Sequence, residues 1–591
     1  MIDPRIYRAA FLPVLVALIV LMFSVQPIPD PLRAPEGPSI AASEFDEGRA
    51  GALARQIVAA APEREPGSRG DEVIADIVEE RFASIGAGRT SEQRFTGSFE
   101  GDEVELRNVA LTLPGPSERT IVFIAHRDSG RGPGATSSAA ATGVLVELAS
   151  EFGRLRHEKT LTFVSTDGGS EGASGVREFV ASYPTPELVD AFLVISQPGA
   201  REPERPHVVP WSVGTESTSA QLVETASAAL EDESEREARP EGLLGHLFRL
   251  ALPSALGEQG PLIEAGADAI AISGAGERPL SPADDQPEDL STRSLGEFAR
   301  TTFALAAALD ASDEPLVHGP DDQLRFAGNL IPGWSLAVLT ITLLLPALVA
   351  SIDAVARSLR RGQPVVAAFG WVLARALPFL APLALLYLLA LLGIAPSPEF
   401  PFDPGHYGFG WRAAGVIAAL LAAFLASLIA LRPLAAPLVA SRETAAAAIG
   451  AVASVVLLVI WLLNPYLALL LVPFAHLWLL AARPGLPVGP LGSGLATLFA
   501  AIPLLAGLAY LVDRLDLGVQ APWQLALFVA GGQIEPLAAL MVCLLAGSIL
   551  AVLAIGRSPG SDLPGAPRWQ PPAQPRRRPG PVGTPPSLVR R

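Results

Sequence analysis

Residues 160–180 read TLTFVSTDGGSEGASGVREFV: an apolar run rich in β-branched and aromatic residues, a glycine-rich turn, then a helical pattern. A strand of this length, bounded by such a turn, is the unit of an α/β sheet. The same alternation extends upstream. EFDEGRAGALARQIVAAA (44–61) and DEVIADIVEERFASIG (71–86) have helical periodicity, ELRNVALTL (105–113) and TIVFIAH (120–126) read as strands, and SSAAATGVLVELASEF (137–152) reads as a helix. This order predicts an α/β fold, a sheet with helices on both faces. In such folds ligand sites lie beyond the carboxyl ends of the strands, which would gather His126, Asp128 and the turn at Gly169, Ser170 and Glu171.

The rest of the chain has another character. Half of the 591 residues are hydrophobic, more than a soluble chain normally carries. Apolar runs of spanning length recur from Leu330 to Gly556, roughly at 330–352, 366–394, 411–431, 444–463, 465–482, 489–512 and 534–556. A further run follows Arg5 and Arg8 and has no clear small-residue cleavage site, so it reads as a signal anchor with a cytoplasmic N-terminus. The arginine clusters at 357–361, at 432 and 442, at 483, and from 557 onward fall in alternate loops. Only Arg412 and Arg514 lie on the other side, and the loop APSPEFPFDPGHYGFG (395–410) there has no arginine. The predicted organisation is an anchor (1–34), an extracytoplasmic domain (35–325), about seven transmembrane helices (326–557), and a basic Pro-rich tail (558–591), with both termini cytoplasmic. The arginine-rich, lysine-poor composition points to a bacterial cell membrane.

Net charge is −17, and no basic patch interleaves with aromatic residues, so nucleic-acid binding is not expected. The single cysteine, Cys543, excludes an intrachain disulfide framework and a cysteine-rich zinc site. Arg375, His476 and Glu535 fall in the apolar half, where ionisable groups mark packing or a path for protons or substrate. APWQLALFVAGGQIEP (521–536) reads as an interfacial or re-entrant helix. The acidic run LEDESEREARPEG (230–242) is expected to be a solvated loop, and Glu147 and Glu171 to be solvated or helix-supporting residues.

Several blocks together resemble the M28 zinc exopeptidases: PEREPGSRGDEVIADIVEERFASIGA, RNVALTLPG, IVFIAHRDSG, GATSSAAATGVLVELA and TDGGSEGASGVREFV, in the family's order over residues 50–310. The layout of anchor, M28-like domain and multispan half is similar to endoplasmic reticulum metallopeptidase and to the M28-like attachment subunit of GPI transamidase. The resemblance implies an M28-like fold and a co-catalytic zinc pair held by histidines and carboxylates, with a glutamate as general base. Matched position by position, His126 is the first histidine ligand and Asp128 its orienting aspartate. The bridging aspartate falls at Ser137, beside Ser138, the general base at Gly169, and a ligand glutamate at Ser170. A further ligand aspartate falls at Ser196, and the last histidine at Leu280. Gly257, Glu258 and Gln259 occupy the stretch before the family's "F-x-E-A-G".

Hydroxyls neither cancel the charge of two zinc ions nor take a proton from a bound water, so His126 is at most a vestigial metal ligand and no catalytic residue is expected. The predicted role is binding without catalysis: a cleft of His126, Asp128, Ser137, Ser138, Gly169, Ser170, Glu171 and Ser196 that takes a peptide, a lipid-linked ligand or a membrane protein partner, with membrane lipids around the spans and no cofactor. Three alternatives are weighed against it: an active zinc aminopeptidase with displaced ligands, a transporter or lipid-handling bundle with an accessory domain, and a G-x-S-x-G nucleophile elbow at Ser170 with His207 or His246 as its histidine.

Overall fold

The computed structural model describes residues 4–33, 45–234, 236–238, 241–434, 441–479 and 490–556. The chain starts with helices α1 (Pro4–Ala9) and α2 (Phe11–Ser24) and a short strand β1 (Gln26–Pro27). The α/β domain follows. Helices α3 (Glu47–Ala60) and α4 (Arg69–Ile85) precede a long hairpin, β2 (Arg89–Phe99) and β3 (Asp102–Leu113). Then come β4 (Thr120–His126), α5 (Ser138–Phe152), β5 (Thr160–Thr166), α6 (Ser174–Ala181), β6 (Val189–Ser196) and β7 (Val208–Val209). Helices α7 (Ala220–Ser234), α8 (Leu243–Ala251) and α9 (Gln259–Glu264), strand β8 (Ala269–Ser273) and α10 (Thr292–Asp310) complete it.

Seven strands form one sheet in the order β2-β3-β5-β4-β6-β8-β7. The central strands β5, β4, β6 and β8 are parallel, and β2, β3 and β7 run antiparallel to their neighbours. Alternation along each strand assigns its residues to two cores. Ile121, Phe123, Leu161, Phe163 and Leu193 pack with α3, α4, α5 and α10, whereas Val122, Ile124, Val164, Phe192 and Val194 pack with Ala173 just ahead of α6, with Val176 of α6 and with α9. Covering both faces is what lets these strands be continuous apolar runs. Strands 105–113, 120–126 and 160–166 therefore stand where the sequence predicts them. Strand β2 was not read from the sequence because RTSEQRFTGSF is a half-exposed edge with no apolar run.

Past the domain, β9 (Leu324–Phe326) and β10 (Asn329–Ile331) form a small sheet with β1, pairing the end of the N-terminal helix with the start of the helical half. Among the described residues, six helices are long and apolar enough to cross a membrane: Ile6–Ser24, Gly333–Arg360, Trp411–Leu431, Arg442–Leu463, Leu491–Arg514 and Pro536–Ile555. A seventh candidate is the pair Val365–Ala374 and Leu377–Leu391, bent by 51° at Arg375 and Ala376. The segment expected to span at 465–482 instead holds a helix of 12 residues, Pro465–His476, with Asn464 capping its start and Pro473 inside it. Arg483 and the tail from Arg557 lie outside the described residues, as do residues 34–44.

Two of the three ionisable residues singled out in this half are engaged. Arg375 lies 3.5 Å over the Trp371 ring, and Tyr7 Oη is 3.3 Å from His476 Nδ1. Glu535 sits exposed just before Pro536, outside the span it was read into. The segment 521–536 begins with the short helix Ala521–Ala530.

Candidate functional site

The parallel register sets Ala125 against Ser165 and His126 against Thr166, so the imidazole emerges beside the turn that follows β5. That turn, residues 167–173, is stitched to β4 by Asp128: one carboxylate oxygen accepts the Gly169 N–H at 2.9 Å and the other accepts the Ser170 N–H at 2.9 Å. His126 Nδ1 lies 3.0 Å from the Asp128 carbonyl oxygen and 3.4 Å from its carboxylate. Asp128 thus orients the imidazole and anchors the turn together.

Burial pulls the His126 pKa down, but the Asp128 hydrogen bond and charge, with Glu258 nearby, outweigh it and hold the pKa up at about 9. A histidine raised above its unfolded value of about 6.5 stabilises the fold fully below that pH, and the contribution is lost as the pH rises through about 9. The melting-temperature advantage of wild type over His126→Gln is accordingly expected to be largest below about pH 6.5 and to shrink towards pH 9. A difference that stays flat across that window counts against a charged His126.

The other predicted positions converge on the same cleft. Ser137, Ser138, Gly169, Ser170, Glu171 and Ser196 line it with His126 and Asp128, around a cavity of about 90 Å³. Ser137, at the start of α5, donates its hydroxyl to Asp285, and the same carboxylate accepts the N–H groups of Thr136 at 2.6 Å and Ser137 at 3.1 Å. Ser138 Oγ accepts from the fully buried Arg64, which also donates to the carbonyls of Ala61, Arg127 and Pro133. Leu280, at the position of the family's last histidine, donates its N–H to Gln197.

A zinc pair does not fit these residues. The positions to which the resemblance assigns carboxylates hold Ser137, Ser170, Ser196 and Gly169, while Asp285 is committed to the start of α5, Asp128 to the turn, and one oxygen of Glu258 to the Thr166 hydroxyl. Among the described residues no group of three His, Cys, Asp or Glu side chains is placed to hold a metal ion. The elbow alternative fails on geometry too. The downstream histidines are elsewhere, His207 on the Ser273 carbonyl and His246 accepting the Arg325 N–H.

Three expectations about acidic residues are corrected. Glu171 is 2% exposed and accepts the Tyr407 hydroxyl at 2.8 Å. Glu147, also buried, pairs with Arg49. The run 230–242 is no simple solvated loop: it begins as the last turn of α7, Arg236 pairs with Glu297, and Glu241 lies 3.5 Å from Arg249.

Sequence reasoning placed Glu258 in a family block without assigning it to the cleft, and it missed Asp285 and a group from the helical half. Glu258 reaches the cleft wall by folding of the segment before α9, and its Oε1 accepts the Thr166 hydroxyl at 2.6 Å. Asp285 caps α5 from a distant loop. Asp403, His406 and Tyr407 come from the loop between two apolar helices. The one signal for the last group is a histidine and a tyrosine side by side in a loop that carries no arginine next to the membrane.

Residues 108–246 match the profile of Peptidase family M28. Among solved structures the chain is similar to a glutaminyl cyclase from an Acidobacteriales bacterium, at 21% identity over 47% of this chain and 98% of that one, TM-score 0.37. It is also similar to the aminopeptidase from Aneurinibacillus sp. strain AM-1, at 13% identity over 47% and 97%, TM-score 0.39. A third is BSAP, a zinc aminopeptidase from Bacillus subtilis, at 12% identity over 44% and 95%, TM-score 0.37. No curated protein matches the chain. The α/β half of this chain is thus an M28 peptidase-like domain, and it is joined to a C-terminal region of several apolar helices.

Proposed function

We propose that this integral membrane protein uses its M28-like domain as a non-catalytic binding module, whose cleft over His126 takes a peptide, a lipid-linked molecule or a partner protein. The observation that carries this reading is the set Ser137, Gly169, Ser170 and Ser196 around one retained histidine. A pair of divalent cations held a few ångströms apart needs anionic ligands to offset their mutual repulsion, and neutral hydroxyls do not supply them. The domain lies outside the cytoplasm and the N-terminal helix anchors it. In support, Arg357 and Arg360 stand at the far end of the helix whose start, at Gly333, adjoins the domain. Arg514, at the domain end of another long helix, departs from this pattern and lies 3.6 Å from Glu241.

Metal analysis of the purified full-length protein tests the reading. The expected result is zinc at background level and no aminopeptidase turnover. A tightly held zinc pair, with turnover abolished by chelator and by His126→Ala, would overturn it in favour of an active peptidase.

A further inference from the structure

The cleft is not open to solvent on all sides. Residues 395–410, between Leu377–Leu391 and the helix that starts at Trp411, lie across it. On the domain side, Pro401 accepts the Gly172 N–H at 2.7 Å, Glu171 and Phe402 form an antiparallel bridge, and Arg177 donates to the Phe400 carbonyl at 3.3 Å. Tyr407 donates to Glu171, and His406 Nε2 meets Glu100 at the tip of the β2–β3 hairpin. The GGSEG turn is therefore one of the places where the helical half docks on the α/β domain, beside contacts such as Asn464 with the Leu250 carbonyl and Arg278 with Asp516.

The other side of the loop belongs to the helical half. Phe402 is 1% exposed and packs edge-on against Phe528 with ring centroids 5.6 Å apart. Trp523 donates to the Tyr407 carbonyl at 2.8 Å, and Gln524 to the Pro404 carbonyl at 2.9 Å. Hydrogen bonds of the domain side exchange readily with water, whereas pulling Phe402 out of its aromatic contacts would expose apolar surface. If this joint opens, it opens at the domain face, and the loop moves with the helices.

What the loop covers is a site and not a filled core. Among the described residues, five buried polar atoms of the cleft lining have no hydrogen-bond partner: Ser170 Oγ, Glu171 Oε1, Glu258 Oε2, Glu277 Oε2 and His406 Nδ1. Such groups are normally satisfied by water or by a ligand. The cavity of about 90 Å³ has room for about three water molecules or the polar end of a small ligand.

We infer that loop 395–410 is the lid of the cleft, that it is carried by the membrane helices, and that it supplies His406 and Tyr407 to the ligand site. Entry to the cleft is then coupled to the position of helices that no sequence block of the α/β domain contains. The inference does not depend on loss of the metal, because an active cleft would be covered in the same way.

Thiol accessibility in the full-length protein in detergent tests it. In a Cys543→Ala background, Ser170→Cys is expected to react with a bulky maleimide at least 100-fold more slowly than Ala181→Cys at the exposed end of α6. Adding His406→Ala with Tyr407→Phe, which removes domain-side contacts and keeps Phe402, is expected to raise labelling at position 170 at least tenfold and leave position 181 unchanged. Equal rates at 170 and 181 in the parent, or a rate at 170 that ignores the loop substitutions, would overturn the lid. Should Ser170→Cys fail to fold, Ser196→Cys across the cleft gives the same readout.

Discussion

Replacing Arg127 with methionine is expected to destabilise the α/β domain by about 3–5 kcal/mol, the usual consequence of removing one partner from a buried ion cluster. Arg127 is fully buried under the GGSEG turn, between the two residues that shape the cleft. Its guanidinium pairs with Asp71, lies 3.4 Å from Asp167, and donates to the Ser165 carbonyl at 3.1 Å. Burial pushes the Asp71 carboxyl well above the ordinary range even with Arg127 pulling it down, and burial raises Asp167 as well. Without the guanidinium both carboxyls face each other with no cation, and protonation relieves only part of the cost.

At about 2–4 °C per kcal/mol for a domain of this size, the melting temperature of the full-length protein is expected to fall by roughly 6–20 °C. Asp71→Asn added to Arg127→Met is expected to recover part of that fall, since the second substitution removes a buried carboxyl that has lost its partner. Unchanged melting in the single variant would show that the cluster is better solvated than its burial implies. A double variant less stable than the single one would show that Asp71 stabilises through something other than Arg127.

This cluster also shows what the sequence alone could convey. The run IVFIAHRDSG was legible as a strand ending in a site, because apolar length and the flanking polar residues are local properties. Likewise the turn at Ser170 beside His126 followed from the strand pattern, whereas Ser137 and Ser196 were placed there by the resemblance to the M28 exopeptidases, and the folded cleft brings all of them together. The partner of a charged residue is a different matter. Glu171 reads as solvated because nothing near it in sequence is apolar enough to bury it. Its burial comes from Tyr407, 236 positions away, and no periodicity links the two. Glu147 was missed for the same reason, its arginine lying 98 positions upstream. The short helix Pro465–His476 was missed differently: hydropathy counts the apolar residues of 465–482 without regard to where the helix ends.

Reinstating the metal-site carboxylates is expected to fail, and the first obstacle is Gly169. A Cβ at that position would lie 2.3 Å from the His126 Cβ and 2.6 Å from its Cγ, closer than non-bonded carbons approach. These are the near atoms of the imidazole, fixed by β4, so the clash is not relieved by rotating a flexible side-chain end. Gly169→Ala alone is therefore expected to cost about 1–3 kcal/mol, and Gly169→Glu at least as much, by forcing the turn off the hydrogen bond that holds it to Asp128. Ser137→Asp meets a second obstacle, because Asp285 already faces that side chain and the new carboxylate would confront it without a cation between them. The combined variant Ser137→Asp, Gly169→Glu, Ser170→Glu and Ser196→Asp is expected to melt well below wild type and to hold zinc at background level. A variant that instead folded around a bound zinc pair would mean that only side chains had been lost and that the cleft still had the shape of a metal site. The closeness of Gly169 to His126 favours the proposed reading over that one: with the turn as it stands, no side chain at position 169 fits against His126.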